Sequence, residues 1–226
     1  FIAYHIFKLR GIDMTDRRER NADKTRQDIL EAAEEQFAGK GYYGARVDEI
    51  ADQARINKRM IYAYFGNKEE LYKKVLFSVY NRLHIAEKRL QTGQYEGRTL
   101  IREIICLYFD FLQHNPGFVS ILMWENLNKA SCLKELPQGD LQRPTIQYFR
   151  EAISRGKANG IFRTDIDENQ VVISLITVCF ANFSNCHTLS CLFGCDLCGE
   201  TLIEQRKQQT VDMMLAYLDK TENKEQ

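Results

Sequence analysis

The sequence predicts an all-α protein of about nine helices, with a small N-terminal domain and a larger helical C-terminal domain. Only three prolines interrupt its 226 residues, so long stretches are free of helix breakers. Apolar residues recur at helical spacing through these stretches, and glycines or an Asn-Pro-Gly turn at 115–117 separate them. With 44% hydrophobic residues, the chain can bury a sizeable core.

Charge and hydropathy narrow the possible classes of protein. The formal net charge is zero, which argues against a generally basic protein that binds nucleic acid regardless of sequence. No apolar run approaches the roughly 18 residues of a membrane-spanning helix. We therefore expect no membrane partner and a cytoplasmic location.

The N-terminal segment is predicted to be separate from the fold. Residues 1–22 are interpreted as an arm or a foreign extension, because the apolar run at 1–13 is too short for a secretory signal with a cleavage site. Thr25 and Asp28 have the form of a capping box and predict the start of the first helix. That helix is expected to end near Gly41, with a buried stripe of Ile29, Leu30, Ala33 and Phe37.

Residues 41–71 predict two short helices that cross at a tight turn. The first helix has a buried stripe of Val47, Ile50, Ala51 and Ala54, and the second has Ile56, Ile61 and Phe65. With these turned inward, the second helix presents Lys58, Arg59, Tyr62 and Tyr64 outward or along its rim. Cations beside phenol hydroxyls suit phosphate contacts, and Lys58 or Arg59 could reach a guanine edge. Taken alone, the same four residues could form a solvated face with two packed tyrosines.

The same stretch resembles the DNA-binding signature of the TetR (tetracycline-repressor) family of bacterial transcription regulators. The match runs from Val-Asp-Glu-Ile-Ala at 47–51, through Ile-Tyr-Ala-Tyr-Phe at 61–65, into Asn-Lys-Glu-Glu-Leu at 67–71. Asn67 is predicted to cap the fourth helix, with Glu70 reaching back and Lys68 beside the positive end of the helix dipole, where a phosphate would bind. The predicted contacts to double-stranded DNA are Thr25, Arg26, Arg46, Arg55, Lys58, Arg59, Tyr62, Tyr64, Asn67 and Lys68.

Two positions depart from the family pattern. Arg55 stands in the turn where relatives usually carry glycine, and a left-handed backbone there would cost arginine about 1 kcal/mol or more. Arg46 stands where relatives often place a Ser or Thr that caps the first of the two helices. Both arginines could contact phosphate directly, so both departures are compatible with DNA binding.

The C-terminal half predicts a dimer and five further helices, at about 98–114, 118–128, 141–159, 169–192 and 201–218. The DNA-binding domain is assigned to 23–83, and 84–226 is assigned to ligand binding and dimerisation. The predicted eighth helix, 169–192, is almost continuously apolar and must be covered on nearly every side. The resemblance implies a homodimer through the last two helices and a palindromic operator. Within those helices, we assign 172–187 and 209–217 to the dimer interface.

The resemblance also implies a cavity for a small-molecule inducer among helices four to eight. The predicted lining is aromatic and consists of Tyr108, Phe111, Trp124, Tyr148 and Phe180, with Phe149, His114, Glu125 and Asn182 as further candidates. An aromatic or moderately apolar effector is expected, and no cofactor and no catalytic residue is predicted. Repression is the default function, because a small dimer acts most simply by occluding a promoter.

The seven cysteines suggest an alternative stimulus. Cys186, His187, Cys191, Cys195 and Cys198 crowd into residues 186–198, and Cys195 and Cys198 have the spacing of zinc and redox pairs. A thiol- or metal-sensing regulator is therefore a second hypothesis. We nevertheless predict no metal, because a tetrahedral set would have to recruit Cys186, His187 or Cys191 from a helix.

A helical small-molecule-binding protein or a cysteine enzyme without DNA function is the alternative from another class. No Ser-His-Asp ordering or His-Glu-x-x-His motif is present in the sequence, and the four histidines have no metal-binding spacing among themselves. Such a protein would also leave residues 41–71 unexplained.

Overall fold

The computed structural model describes residues 12–93, 95–136 and 144–219, and these residues form ten α-helices and one short 3₁₀ helix. The all-α prediction is confirmed. The helices are α1 Ile12–Gly44, α2 Val47–Gln53, α3 Lys58–Phe65, α4 Lys68–Thr92, α5 Gly97–His114, α6 Pro116–Leu127, α7 Pro144–Ala158, α8 Glu168–Ser184, α9 Cys186–Phe193 and α10 Glu200–Leu218. The 3₁₀ helix is Leu133–Glu135. The chain divides into two compact units between Phe77 and Ser78, within α4.

The first helix begins much earlier than the capping box predicted. Residues 12–24 contain no glycine or proline and include three arginines, so no helix breaker separates Ile12 from Thr25. Thr25 is therefore an interior residue, and its hydroxyl donates to the Asn21 carbonyl at 2.8 Å instead of capping a helix start. Of the arm predicted for 1–22, residues 1–11 lie outside the described residues.

Gly41 interrupts α1 where the sequence predicted its end. Its φ of 67° and ψ of 177° are accessible essentially only to glycine, and the last turn, 42–44, follows this kink. Beyond it, α1 to α3 and the start of α4 enclose the core of the first unit. Ring packing between Phe37 and Tyr72, with centroids 4.8 Å apart, lies within this core. Its other fully buried members include Ile29, Ala33, Ile50, Ile61, Leu71 and Leu76.

Helix α5 is the centre of the second unit. It packs against α6, α7, α8 and α10, and apolar side chains cover more than one of its faces. The buried side chains of α5 are Leu100, Ile101, Ile104, Ile105, Tyr108, Phe109, Phe111 and Leu112. The seventh helix, predicted from 141, is described from Pro144 onward, because 141–143 lie outside the described residues.

The predicted eighth helix is two helices. α8 ends at Ser184 and α9 begins at Cys186, with a bend of 68° between them. Asn185 occupies the break, where its side-chain amide donates to the Ala181 carbonyl at 3.0 Å and competes with the helical backbone hydrogen bonds. Apolar periodicity alone could not predict this break. Within the described part of the chain, α8 and α9 have the length and hydropathy of a membrane span only when joined across this bend, and no single helix does.

Candidate nucleic-acid interface

A tight backbone turn holds α2 and α3 together. The Arg55 N–H donates to the Asp52 carbonyl at 3.1 Å, and the Ile56 N–H donates to the Ala51 carbonyl at 3.0 Å. Arg55 has a left-handed backbone, with φ of 55°. Ile50, Ala51 and Ile61 are buried beneath the turn. Of the other residues predicted to face inward, Ala54, Ile56 and Phe65 are only half-buried.

Asn57 is the N-cap of α3, a role that was not predicted from the sequence. Its side-chain oxygen accepts from the Arg59 N–H at 2.9 Å, while its backbone is extended. An asparagine one position before the first helical residue is a common N-cap, so the sequence did contain a signal for this role. The cap fixes the first turn of α3, from which Lys58 and Arg59 project.

The predicted DNA-contacting residues on the outward face of α3, and in the turn before it, lie in two environments. Arg55 and Arg59 are exposed, and Tyr62 retains 43% of its surface. Lys58 instead donates to the Asp48 carboxylate of α2 at 2.7 Å, and this hydrogen bond raises the pKa of Lys58. The arginine guanidinium groups are thus the uncommitted planar donors of this face, the geometry that suits guanine edges and phosphates.

Tyr64 does not share that face with Tyr62. Residues two apart on a helix point in nearly opposite directions. The guanidinium of Arg26 lies 5.3 Å from the centre of the Tyr64 ring, so this pair forms a separate edge of the surface together with α1. Thr25 is half-buried one residue from Arg26, and Arg46 is exposed at the start of α2 without a side-chain cap bond.

The start of α4 forms the remaining edge. Asn67 caps this helix as predicted, because its side-chain oxygen accepts from the Glu70 N–H at 2.9 Å. The reciprocal half of the capping box is wrong, since the Asn67 N–H donates to the Phe65 carbonyl and the Glu70 carboxylate contacts Lys73. Lys68 lies over a tyrosine ring, 4.9 Å from the centre of Tyr42, and burial lowers the pKa of its ammonium group.

Tyr43 is a surface residue that the sequence analysis did not select. It is 77% exposed, and its ring meets the neighbouring Tyr42 ring edge-on with centroids 5.2 Å apart. Its position in Gly-Tyr-Tyr-Gly, at the end of α1, was the available signal. An exposed phenol that contacts Tyr42, the ring over which Lys68 lies, suits a further phosphate contact.

The second unit contains a cleft of about 400 Å³ against α4 and α5. Phe111 is the predicted effector-binding residue that lines it. Tyr108 is buried one turn away, where its hydroxyl donates to the buried Glu87 carboxylate at 2.6 Å, and the Tyr148 hydroxyl donates to the Leu90 carbonyl at 3.4 Å. The full lining is Ala86, Arg89, Leu90, Tyr95, Glu103, Cys106, Leu107, Asp110 and Phe111.

The other predicted effector residues are dispersed. Trp124 and Phe180 are half-buried on α6 and α8, and neither lines the cleft against α4 and α5. Glu125 has a structural partner, because its carboxylate accepts from the Leu133 N–H at 3.0 Å. Asn182 lines a second cleft of about 660 Å³ among α8, α9 and α10. The apolar pattern of the sequence therefore does not distinguish aromatic residues that line a cleft from those that pack in the core.

The cysteines also group differently from the predicted pair. Cys195 is exposed, and the donors that come together are Cys186, His187 and Cys198. Cys179 lies apart in the core, where burial raises the pKa of its thiol to about 12.

These features define a helix-turn-helix protein with a DNA-binding surface and a separate helical domain. Comparison with known proteins agrees over both units. Residues 29–75 match the sequence profile described as bacterial regulatory proteins, tetR family, and 98–214 match the tetracyclin repressor-like, C-terminal domain. The chain belongs to the TetR family of bacterial transcription regulators and is not an enzyme.

Individual relatives extend this agreement. The chain is 35% identical over 181 residues to the HTH-type transcriptional repressor NicS of Pseudomonas putida, covering 80% of this chain and 85% of that one. It is 30% identical over 159 residues to the repressor SCO4008 of Streptomyces coelicolor, covering 70% and 78%. The structure of the ketosteroid transcriptional regulator KstR2 of Mycobacterium tuberculosis matches with a TM-score of 0.68 at 21% identity, covering 86% and 95%, which supports the fold alone.

Proposed function

We propose that this chain is a cytoplasmic, homodimeric repressor that binds a palindromic operator and leaves it when a small molecule binds the C-terminal unit. The observation that carries the proposal is the α3 face, where exposed Arg59 and Tyr62 project from a helix whose inner side is fixed by buried Ile61. The named repressors NicS and SCO4008, each aligned over more than two thirds of this chain, support repression over activation.

Different residues have different roles in DNA binding. Arg59 is exposed near the N-terminus of α3, the end that enters the major groove in helix-turn-helix proteins, and is assigned to base recognition. Tyr62 lies one turn further along the same face and is assigned to phosphate, as is Lys68 at the start of α4. The remaining predicted phosphate contacts are Thr25, Arg26, Arg46, Arg55, Lys58, Tyr64 and Asn67.

Lys58 can contact phosphate only if it leaves its ion pair with Asp48. Its ion pair with Asp48 neutralises its charge locally, so a contact to phosphate requires exchange of one anionic partner for another. Because both side chains are substantially exposed, at 42% and 67%, the pair is weak enough to exchange.

The dimer interface is proposed on the outer sides of α8 and α10. Parts of the predicted ranges, including Val172 and Val211, are buried within the protomer and belong to its own core. Large apolar side chains remain exposed on both helices, with Ile173 at 55%, Met213 at 45% and Tyr217 at 50%. A second copy that covers them would remove this apolar surface from water.

The effector site is proposed in the cleft bounded by Phe111, close to Tyr108 and Tyr148. Apolar walls from Leu90 and Leu107 combine there with the charged groups of Arg89, Glu103 and Asp110. This lining suits an aromatic or moderately apolar molecule with a few polar substituents. The proposed site does not include Trp124 and Phe180, because neither lines this cleft.

Operator titrations at several salt concentrations test the DNA-binding assignment. Arg59→Ala should weaken operator binding by about 1–3 kcal/mol and leave binding to random DNA much less affected, if Arg59 makes a bidentate base contact. Lys68→Ala should weaken binding to both DNAs and reduce the salt slope by about one. Arg150→Ala, which removes an exposed arginine of the second unit, is the control. Unchanged affinity in both test variants would contradict the assignment.

A further inference from the structure

Three metal-binding side chains meet where α9 starts and the following loop ends. Cys186 and His187 are the first two residues of α9, and Cys198 lies near the end of the loop 194–199. One ligand atom of each, two sulfurs and a ring nitrogen, lies within 4.8 Å of the others. The Cys198 Sγ is 3.6 Å from His187 Nδ1.

The loop is held in this position by bonds that do not involve the three side chains' ligand atoms. Gly194 ends α9 in the left-handed conformation, with φ of 64°, and reverses the chain. The Leu197 N–H then donates to the Ser190 hydroxyl at 2.9 Å, and the Cys198 N–H donates to the Asp196 carboxylate at 3.0 Å. The Ser190 hydroxyl in turn donates to the Cys186 carbonyl at 2.6 Å, so the loop is tied to the same turn that carries two of the donors.

The spacing agrees with tetrahedral coordination of one ion. With a Zn–S bond of about 2.3 Å and a Zn–N bond of about 2.05 Å, a tetrahedral angle separates sulfur from nitrogen by about 3.6 Å. The same geometry separates two sulfurs by about 3.8 Å. The observed 3.6 Å between Cys198 Sγ and His187 Nδ1 matches the first value, and the 4.8 Å limit on the cluster accommodates the second.

The donor chemistry selects the class of metal. Two thiolates and an imidazole suit Zn²⁺ and other thiophilic ions, whereas Mg²⁺ and Ca²⁺ require oxygen ligands. Three protein ligands leave one position of a tetrahedron, and exposed His187 keeps the cluster open to water on one side. Neighbouring Cys191 and Cys195 are exposed and lie outside this set.

We propose that Cys186, His187 and Cys198 form a Zn²⁺-binding site with one coordination position open to solvent. The sequence-based expectation of no metal rested on Cys186 and His187 lying within one helix, 169–192, from which they would have to be recruited to the pair Cys195 and Cys198. The break at Asn185 and the turn at Gly194 remove that obstacle by bringing the start of α9 beside Cys198. The site is independent of the proposed DNA contacts, because all its ligands lie in the second unit.

Metal binding should fix the connection between α9 and α10. The same loop supplies Cys195 and Leu197 to the wall of the second cleft, opposite Val178 of α8 and Arg206 of α10. An ion that binds only the folded loop stabilises the folded state, by an amount that grows with the logarithm of the ratio of ion concentration to Kd once the site is filled. Zn²⁺ should therefore raise the unfolding temperature of the full-length protein.

Titration of untagged, fully reduced full-length protein with Zn²⁺, in competition with a chromophoric chelator, tests the site directly. We expect one ion per chain, and Co²⁺ in its place should give thiolate charge-transfer and tetrahedral ligand-field absorption. Cys198→Ser and His187→Ala should each weaken Zn²⁺ binding by at least about 100-fold, since loss of a direct ligand exceeds the typical effect of outer-shell changes. Cys195→Ser and Cys191→Ser are matched controls and should bind as the parent does.

Several outcomes would overturn the proposal. Absence of Zn²⁺ binding by the reduced parent would do so, and so would loss of binding in Cys195→Ser with retention in Cys186→Ser. Circular dichroism of each variant establishes that it is folded, so that loss of the ion is not mistaken for loss of the fold. Absorption without the thiolate charge-transfer band would mean that the ion binds elsewhere, and would equally contradict the site.

Discussion

Arg55 occupies a backbone conformation that arginine adopts at a cost. Its φ of 55° is left-handed, and its side chain is exposed beside the outward face of α3. Arg55→Gly should therefore raise the free energy of unfolding by about 1 kcal/mol, measured by denaturant titration. If Arg55 also contacts phosphate, the salt slope of operator binding should fall by about one.

Lys129 provides a matched control for this substitution. It also has a left-handed backbone, with φ of 57°, and it is exposed in the second unit. Lys129→Gly should give a similar gain in stability with an unchanged salt slope. A loss of stability in Arg55→Gly would mean that its side chain stabilises the turn by more than the backbone strain costs.

Cys179 should make the free energy of unfolding fall with rising pH in the alkaline range. Burial raises the pKa of its thiol to about 12, above the ordinary value of 9.0. The contribution of Cys179 to the free energy of unfolding is therefore fully present below pH 9.0. It is lost as the pH rises from 9.0 toward 12, because the thiol ionises first in the unfolded chain. The difference in unfolding free energy between the parent and Cys179→Ala should shrink over that window. A constant difference across that window for Cys179→Ala would contradict the burial argument.

The sequence identified the residue types of the DNA-binding surface better than their pairings. The apolar spacing around Ile61 correctly turned Arg59 and Tyr62 outward, because helical periodicity is a local property. The Lys58–Asp48 and Arg26–Tyr64 contacts join different helices, so they depend on how those helices cross. No spacing within a single helix encodes that crossing.

At the scale of elements, the caps of α3 and α8 use the same chemistry in different places. Asn57 accepts from the Arg59 N–H, and Asp167 accepts from the Gln170 N–H, both at 2.9 Å. Asn57→Ala should cost about 0.5–2 kcal/mol of stability and also weaken operator binding, because the first turn of α3 carries Arg59. Affinity is measured by operator titration at a temperature where each variant is folded.

Asp167→Ala is the matched control for the cap of α3. It should cost a similar amount of stability through the same lost hydrogen bond, with operator affinity unchanged. If both cap variants lose affinity equally, the effect follows from general destabilisation and not from the geometry of α3.

The positions of helices were largely predictable, and their ends less so. Strong periodicity and Gly or Pro breakers located α2 to α6 and α10 closely. The extension of α1 to Ile12 and the break at Asn185 were missed, because neither is marked by a change in apolar pattern. The break matters most, since it brings Cys186 and His187 to Cys198 and so changes the expected chemistry of the cysteine cluster.

At the scale of the whole molecule, exposed apolar surface on α8 and α10 predicts a homodimer. Ile173→Glu should yield monomer in sedimentation velocity and lose operator binding, because a charge would be buried in the interface. Ile85→Glu is the control, since Ile85 is similarly exposed, at 53% against 55% for Ile173, but lies on α4. A parent protein that sediments as a stable monomer, or an Ile173→Glu variant that remains dimeric, would contradict the proposed interface.

Family membership was predictable because residues 41–71 combine a long motif with a consistent buried pattern. The effector site was not, because aromatic side chains such as Trp124 and Phe180 satisfy the same apolar pattern in a core as in a cavity. Only the three-dimensional packing separates Phe111, which lines a cleft, from Tyr108, which is buried and bonded to Glu87.

Selection of binding sites from random double-stranded DNA by the purified protein tests the central claim most directly. A dimer with two α3 helices should enrich one palindromic sequence whose half-sites are centred about one helical turn, or a multiple of it, apart. Arg59→Ala should lose preference at a defined position in each half-site. Enrichment of no sequence, or of a single asymmetric site insensitive to Arg59, would contradict a two-fold symmetric regulator that recognises DNA through α3.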